Sequence, residues 1–399
     1  MKAFPLPLPE GMSAETFLAE YWQKKPLLIK AAFPNFTTPL SPDEIAGMAC
    51  EEGIESRLVI ENSGVNQRAA NDEELPWQLS HGPFDEAIFS ELPASHWTLL
   101  IQEVHKYVPA LAQLLESFRF IPNWRIDDIM VSYSPVGGSV GPHVDQYDVF
   151  LLQGLGPKRW QISMAGVGDG DLIPGIELQI LADFKAEQSW DLEEGDMLYL
   201  PPGVIHHGVA LGDSLTYSVG FRAPAECDLI TSFIDYLAEE RLSVAHYQDP
   251  DLTLQQHPGE ISAASLQRVR DIINRIPVND VDLARWFGQV VTESKSGDRV
   301  EPNAKALSID AFVKRFQQGE QLWRCELSRF ACINQKDSVL LFVAGGVETL
   351  SSEITAAVYL LCDQRIHSIS EWAALLKAPD SAALLCRLYN AGHLYFEND

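Results

Sequence analysis

The chain has 399 residues, of which 46% are hydrophobic and 21% are charged, so it can bury a core and is not a disordered protein. Its 56 acidic residues outnumber 29 basic ones, and the formal net charge of −27 argues against direct binding to nucleic acid or to an anionic membrane. No apolar stretch reaches the ~20 residues that span a bilayer, and the six cysteines are scattered, so we expect a cytoplasmic protein with reduced thiols.

The N-terminal half has a mixed pattern that becomes β-rich. Residues 14–22 predict an amphipathic helix and residues 26–29 a strand, with further helical patterns near 42–50 and 99–117. From about residue 126 to residue 224 there are short β-rich runs separated by glycine and proline. Many short strands with such turns predict a β-sandwich or jelly roll.

The C-terminal half has a helical pattern followed by two strand-like runs. Apolar residues share one face in each of two predicted helices: Leu229, Phe233, Tyr236 and Leu237 in the first, and Leu266, Val269, Ile272, Ile273 and Ile276 in the second. The polar segment at 292–303 predicts a linker. Beyond it, strand-like runs at 322–333 and 338–343 precede helical patterns, as in a winged-helix domain. We therefore predict three domains, with boundaries at 1–224, 225–295 and 296–399.

The motif with the clearest chemistry is His143-Val144-Asp145. In an extended strand the two polar side chains leave the same face, and a second histidine follows 63 positions later at His206. Two imidazoles and one carboxylate suit a non-haem Fe(II) site with three open positions. A His-x-Asp pair is common by chance, and spacing alone does not choose between His206 and the adjacent His207.

A lysine in an apolar strand supports a buried anion site. Lys158 alternates with Trp160 and Ile162 on one predicted face. A lysine that faces the interior is costly unless it meets an anion, although its ammonium can also reach outward to water. We expect the residues around Phe150 and Trp160 to form an apolar wall of the same site.

A second strand carries polar residues on one face. Asp128, Met130 and Ser132 alternate, which predicts either a wall of the site or an edge strand with one wet face. Tyr147 continues the face of the His-x-Asp pair and should border the metal. The glycines of segment 137–141 permit tight turns just before the ligands.

Four longer segments carry a resemblance to a known family. The chain resembles the Jumonji-C class of Fe(II)- and 2-oxoglutarate-dependent oxygenases, in particular the bacterial ribosomal oxygenases that hydroxylate an arginine of large-subunit ribosomal protein L-sixteen. An N-terminal motif at 17–27 and most of the remaining chain share the similarity. The four segments are His143-Val144-Asp145-Gln146-Tyr147-Asp148-Val149-Phe150, Gly156-x-Lys158-x-Trp160, Tyr199-Leu200-Pro201-Pro202-Gly203-x-x-His206 and Tyr217-Ser218-Val219-Gly220-Phe221-Arg222-Ala223-Pro224.

The resemblance implies an α+β protein with a double-stranded β-helix (jelly-roll, cupin-like) JmjC core, a helical dimerisation domain and a C-terminal winged helix. It implies that Fe(II) is held by His143, Asp145 and His206, with no catalytic residue beyond these ligands. The cosubstrate 2-oxoglutarate would be bound through Lys158 and Ser132. Close bacterial relatives often have arginine where this chain has lysine, so cosubstrate affinity can differ.

The acidic N-terminal half suits a basic substrate. Residues 1–224 hold 31 acidic against 13 basic residues, a net charge of −18 that would steer a basic ribosomal protein to the site. We expect Asp128 to meet the substrate guanidinium, Tyr147 to stack on it and Met130 to pack along its stem. The apolar helices of 225–290 predict a homodimer.

Other classes of protein share parts of this pattern. A metal-free jelly roll that binds ribosomes would not need the complete ligand set together with Lys158. A cupin-type metalloenzyme without 2-oxoglutarate would not need Lys158 and Ser132. Within the same family, an oxygenase that acts on another basic protein would share the site. The bacterial type of N-terminal motif and the winged-helix pattern argue against a histone lysine demethylase.

Overall fold

The computed structural model describes residues 6–62, 76–166, 171–240, 245–276, 278–295 and 298–398. The chain divides into two compact units, the first formed by Met1–Ala223, Lys295–Ser328 and Leu360–Asp399, and the second by Pro224–Ser294 and Arg329–Tyr359. Across the described ranges, none of the helices combines the length and the apolar character that crossing a membrane requires. The three domain boundaries expected from the sequence stay predictions.

Two antiparallel sheets dominate the first unit. Its first twelve strands are β1 (Leu27–Ile29), β2 (Ser56–Glu61), β3 (Trp77–His81), β4 (Trp97–Ile101), β5 (Ile126–Ser134), β6 (His143–Val144), β7 (Val149–Leu155), β8 (Lys158–Ser163), β9 (Gln188–Leu192), β10 (Met197–Leu200), β11 (Ile205–Ala210) and β12 (Ser214–Phe221). The major sheet has the order β1-β10-β7-β12-β5-β4-β2-β3, and the minor sheet has the order β6-β11-β8-β9. The helices that precede β5 are α1 (Ala14–Glu20), α2 (Pro42–Cys50), α3 (Ala87–Glu91) and α4 (Pro109–Leu114).

The central strand β7 shows how the two sheets and the helices share one core. Val149 and Leu151 pack between the sheets against β8, β9 and β10, whereas Phe150 and Leu152 pack on the helix side of the major sheet. Because side chains alternate along a strand, this strand is buried on both faces. The predicted jelly roll is thereby confirmed, with the space between the sheets as its interior.

Two expectations from the sequence are wrong. The helical pattern over 99–117 is strand β4 up to Ile101, and the α-helix begins only at Pro109, because a short apolar run fits a buried strand as well as a helix. Phe150 does not line the interior. Its ring packs against Phe17 and Phe118 on the helix side. All four residues of Val149–Leu152 are apolar, so no alternation of polar and apolar residues shows which side chains point to which face of the sheet.

The remaining elements follow in chain order. They are α5 (Glu226–Glu240), α6 (Ala263–Ile273), α7 (Asp280–Thr292), α8 (Ile309–Gln317), β13 (Leu322–Arg324), β14 (Phe330–Asn334), β15 (Ser338–Val343), β16 (Gly346–Ser351), α9 (Thr355–Asp363), β17 (Ile366–His367), α10 (Ile369–Trp372), α11 (Pro379–Asn390) and β18 (Leu394–Phe396). In the first unit β17-β13-β18 form a small sheet, and in the second unit β14-β15-β16 form another. The single strand-like run expected over 322–333 is therefore two strands in different sheets.

The second unit packs its helices around aromatic residues. Phe233 and Leu237 of α5 meet Trp286 of α7 in a buried cluster, and the indole Nε1 of Trp286 donates to Ser232 Oγ at 3.1 Å. Helix α6 contributes no buried residue. Its apolar face is left in contact with solvent in the single chain.

A buried carboxylate joins the N-terminal helix to the major sheet. Asp148, which is fully buried, accepts hydrogen bonds from Tyr199 Oη at 2.6 Å and Gln23 Nε2 at 2.9 Å, and it pairs with Arg125 at 3.2 Å. Because this network is buried and each donor comes from a different part of the chain, it fixes the position of the segment that carries the metal-site motif.

We predict that Asp148→Ala destabilises the protein by about 3–5 kcal/mol, because the partly buried Arg125 guanidinium and the buried Tyr199 hydroxyl lose their acceptor. Urea denaturation followed by fluorescence should show a lower midpoint. Asp191→Ala, which breaks the exposed pair with Arg159, is the matched control and should leave the midpoint unchanged. Equal midpoints for wild type and Asp148→Ala would show that the network does not stabilise the fold.

Candidate metal centre

The structure brings His143, Asp145 and His206 together. One potential ligand atom from each lies within 4.8 Å of the other two, and His206 Nε2 is 3.6 Å from Asp145 Oδ2. The two imidazole rings have centroids 4.2 Å apart. This is the donor set of a facial site with two imidazoles and one carboxylate.

Strand pairing explains why the two distant stretches converge. Strand β11 pairs with β6 so that His206 lies opposite His143 and Ile205 opposite Val144. The backbone N–H of Gly203 then donates to the Asp145 carbonyl at 2.9 Å, which joins the Pro201-Pro202-Gly203 turn to the loop of the second ligand. Strand β6 ends at Val144, so Asp145 follows the strand rather than continuing it.

The turn before β6 orients the first imidazole. Gly141 has φ of +79°, a conformation that favours glycine, and a Cβ there would lie 2.8 Å from Ile180. Its carbonyl oxygen accepts from His143 Nδ1 at 2.9 Å. Because Nδ1 carries the proton, Nε2 keeps the lone pair that a metal ion requires.

The second imidazole is arranged in the same way. His206 Nδ1 donates to the Val204 carbonyl at 3.0 Å, which again leaves Nε2 as the acceptor. Burial, reinforced by the charge of His143, lowers the pKa of His206. The imidazole is therefore neutral at pH 7, which is the form that binds a metal.

Lys158 lies in the interior, as predicted. Its side chain is 4% exposed, on the same face of β8 as Trp160, and its Nζ is 5.2 Å from the Trp160 ring centroid. That ring lies 5.9 Å from the His206 ring, so the ammonium and the ligand His206 both lie beside the same indole. A Cβ on Gly208 would lie 2.7 Å from the Trp160 ring, and the glycine leaves room for the indole. Burial lowers the pKa of Lys158 to about 8.

The wall formed by β5 also faces the interior. Ile129 and Val131 belong to the helix-side core, so the alternate residues Asp128, Met130 and Ser132 point between the sheets. Ser132 is 5% exposed, and Met130 packs in a second interior cluster. The sequence left open a wall of the site or an edge strand with one wet face, and the structure supports the first, because β5 lies between β12 and β4 in the major sheet.

Tyr147 lies at the edge of the site. Its side chain remains 42% exposed, and burial of its hydroxyl, followed by the negative charges of Asp145 and Asp128, raises its pKa. The phenol is thus next to both the metal ligand and the carboxylate of β5. The arrangement places an aromatic face and a carboxylate beside each other, as recognition of a guanidinium requires.

Lys295, in the segment expected to be a linker, lies beside the Asp128 carboxylate. Lys295 lies 3.9 Å from Asp128 and closer still to Glu103 and Asp127. No local pattern in segment 292–303 distinguishes this lysine, so its position depends on tertiary structure alone. His207 points to the face of β11 opposite His206 and has its ring 5.7 Å from that of Phe184.

Two family models match the chain. The first, described as a JmjC domain, covers residues 113–229 and includes the three clustered ligands. The second, described as a ROXA-like winged helix, covers residues 271–395. The order of the two matches agrees with the expected order of a jelly-roll core and a winged helix.

Similar proteins cover nearly the whole chain. Ribosomal protein uL16 3-hydroxylase of Escherichia coli is 35% identical over 96% of this chain and 97% of its own length. A probable ribosomal oxygenase of Haemophilus influenzae is 34% identical over 74% of this chain and 71% of its own length. The solved structure of YcfD, a ribosomal oxygenase from Escherichia coli in complex with cobalt and 2-oxoglutarate, matches 99% of both chains with a TM-score of 0.78 and 34% identity.

Proposed function

Because the chain belongs to the JmjC-domain ribosomal oxygenases, we propose that it is an Fe(II)- and 2-oxoglutarate-dependent hydroxylase of an arginine in ribosomal protein uL16. The clustered ligands His143, Asp145 and His206 support this proposal most strongly. A facial set of two imidazoles and one carboxylate fits Fe(II) and leaves positions for a chelating cosubstrate and O2.

The bound iron and 2-oxoglutarate supply the chemistry: one atom of O2 enters a substrate C–H bond as hydroxyl, and the other enters succinate as CO2 leaves. The chain's own residues would hold the iron and orient the cosubstrate and the substrate. Lys158 would pair with the far carboxylate of 2-oxoglutarate, and Ser132 would donate a hydrogen bond to it. The buried indole of Trp160 keeps water from the space beside His206.

The substrate pocket would lie beside Tyr147. We infer that the guanidinium of the target arginine meets the Asp128 carboxylate while its plane stacks on the phenol. Met130, on the same face of β5, would pack along the aliphatic stem. The excess of carboxylates in residues 1–224 supports a basic partner over an acidic one.

We predict that Asp128→Asn lowers kcat/KM for a uL16 substrate by about 30-fold, because the amide cannot form the charged hydrogen bond with the guanidinium. Turnover of 2-oxoglutarate without substrate should stay close to the wild-type rate. Parallel assays of peptide hydroxylation and succinate release measure the two effects. Equal losses in both assays would mean that Asp128 maintains the structure of the site rather than binding substrate.

A homodimer would cover the exposed face of α6. Leu266, Val269, Ile272 and Ile273 are each between 45% and 57% exposed in the single chain. An apolar stripe of this length in an ordinary soluble protein usually marks an interface. We propose that two copies pair through this helix.

We also propose that the protein works in the cytoplasm, where it meets ribosomal proteins. Its net negative charge argues against direct binding to nucleic acid.

The dimer is tested by sedimentation velocity at micromolar concentration. Wild type should sediment as a dimer. The double variant Val269→Asp, Ile272→Asp should sediment as a monomer, because the two carboxylates added to each copy would be buried against those of the other copy. Gln267→Asp, on the polar side of the same helix, should remain dimeric. A wild-type monomer would refute the proposal.

The substrate is tested by mass spectrometry of ribosomal proteins from cells with and without the gene. We expect one arginine of uL16 to be heavier by about 16 Da, the mass of one oxygen atom, only when the enzyme is present. A modification on a different basic protein would assign the same chemistry to another substrate. Unmodified ribosomal proteins in both samples would favour a binding protein over a hydroxylase.

A further inference from the structure

A fixed cation lies beside the carboxylate that we assign to the substrate. The Nζ of Lys295 is 3.2 Å from Glu103 Oε1, 3.3 Å from Asp127 Oδ2 and 3.9 Å from Asp128 Oδ2. The Lys295 side chain is 36% exposed, and that of Asp128 is 15% exposed. The ammonium is therefore close to three carboxylates in a partly shielded place.

Other cations hold two of these carboxylates from the far side. Lys106 Nζ lies 2.7 Å from Glu103 Oε2, and Arg222 Nε lies 3.2 Å from Asp127 Oδ1. The two nearest acids are thus fixed independently of Lys295, and they determine where its ammonium lies. Although burial alone lowers the pKa of Lys295, the carboxylates of Asp128, Asp127 and Glu103 raise it overall, so the side chain is charged at neutral pH.

A β-bulge explains how one ammonium reaches two adjacent aspartates. In the pairing of β12 with β5, Gly220 lies opposite Asp128 and Phe221 lies opposite Ile126, so Asp127 is an extra residue in β5. Consecutive residues of a regular strand point to opposite faces, whereas a bulge locally changes the direction of a side chain. Bulges are frequent beside active sites, where they aim a side chain.

We propose that Lys295 is a positioning residue of the substrate pocket, which keeps the Asp128 carboxylate oriented toward the cationic side chain of the target. The inference rests on the proposed function, because it takes Asp128 as the substrate carboxylate. Without the ammonium, Glu103, Asp127 and Asp128 would repel one another and Asp128 would turn away. Misplacement of a binding group by about 1 Å can cost on the order of 100-fold in rate.

The test compares Lys295→Met, Lys295→Gln and Lys295→Arg in the full chain, loaded with Fe(II) and 2-oxoglutarate. Hydroxylation of a uL16 fragment gives kcat and KM, and succinate release without substrate gives the uncoupled rate. Lys30→Met is the matched control, because it also removes one positive charge from an ion pair with an aspartate, Asp196, in the same unit. Thermal melting of each variant reports folding.

We expect kcat/KM for the fragment to fall by about tenfold or more in Lys295→Met and Lys295→Gln, with the uncoupled rate unchanged. Lys295→Arg should recover most of the loss, because a guanidinium spans the same carboxylates. Lys30→Met should match wild type.

The inference is wrong if the methionine and glutamine variants hydroxylate the fragment as well as an active wild type does. It is also wrong if the rate of uncoupled 2-oxoglutarate turnover falls in these two variants. If the wild type itself leaves every ribosomal protein unmodified, the proposed function fails and the inference fails with it.

Discussion

Replacing His206 by alanine should abolish hydroxylation, with a loss of at least about 1000-fold, and should remove tight binding of Fe(II). His206 is almost fully buried, and its Nε2 is fixed toward Asp145 by the hydrogen bond from Nδ1 to Val204. No other side chain on β11 can replace that ligand atom. Isothermal titration with Mn(II) or Co(II) measures the binding loss separately from activity.

The adjacent histidine provides a matched control. His207 lies on the opposite face of the same strand, against Phe184, so His207→Gln should bind metal like the wild type and keep activity within about threefold. This pair of variants also answers the question that spacing alone left open. If His206→Ala bound metal fully and His207→Gln lost metal binding, then His207 would be the ligand and His206 would not.

Replacing Lys158 by alanine should raise the KM for 2-oxoglutarate by about 100-fold, equal to ~2.7 kcal/mol, because the far carboxylate loses a buried charge partner. Arg159→Ala is the control on the neighbouring position, where the side chain points to solvent and pairs with Asp191. It should leave the KM unchanged. An unchanged KM in Lys158→Ala would show that the far carboxylate binds elsewhere.

The same lysine predicts a pH dependence. Because burial lowers the pKa of Lys158 to about 8, its ammonium is present below that pH and is lost above it. The kcat/KM for 2-oxoglutarate should therefore be level below about pH 7, fall to half near pH 8 and decline further at higher pH. Lys158→Arg should remove the decline, since a guanidinium stays charged throughout this range.

The jelly roll and the first two ligands could be predicted from the sequence because their signals are local, whereas His206 was distinguished from His207 only by the family resemblance. His143 and Asp145 share one short motif, and glycine and proline separate the strands at regular intervals. Alternation on β5 predicted that Asp128, Met130 and Ser132 share one face, but it did not decide whether that face lines the site or meets solvent. The same reasoning failed for Phe150, since a strand buried on both faces has no alternation to read.

Contacts that depend on tertiary structure could not be predicted. Lys295 comes 167 positions after Asp128 in a polar segment, and only the folded chain brings the two side chains together. Asp148 was part of a recognised motif, yet its partners Gln23, Arg125 and Tyr199 come from three separate stretches. The sequence separation between such partners follows no fixed pattern, because each donor reaches the carboxylate from a different part of the chain.

We propose that one metal ion is held by His143, Asp145 and His206 while Lys158 binds the far end of 2-oxoglutarate. A crystal structure with Mn(II) and 2-oxoglutarate, grown without oxygen, measures this directly. We expect metal density bonded to both imidazole Nε2 atoms and to the Asp145 carboxylate, with the distal carboxylate of 2-oxoglutarate in contact with the Lys158 ammonium. Metal bound elsewhere, or a distal carboxylate that lies away from Lys158, would contradict it.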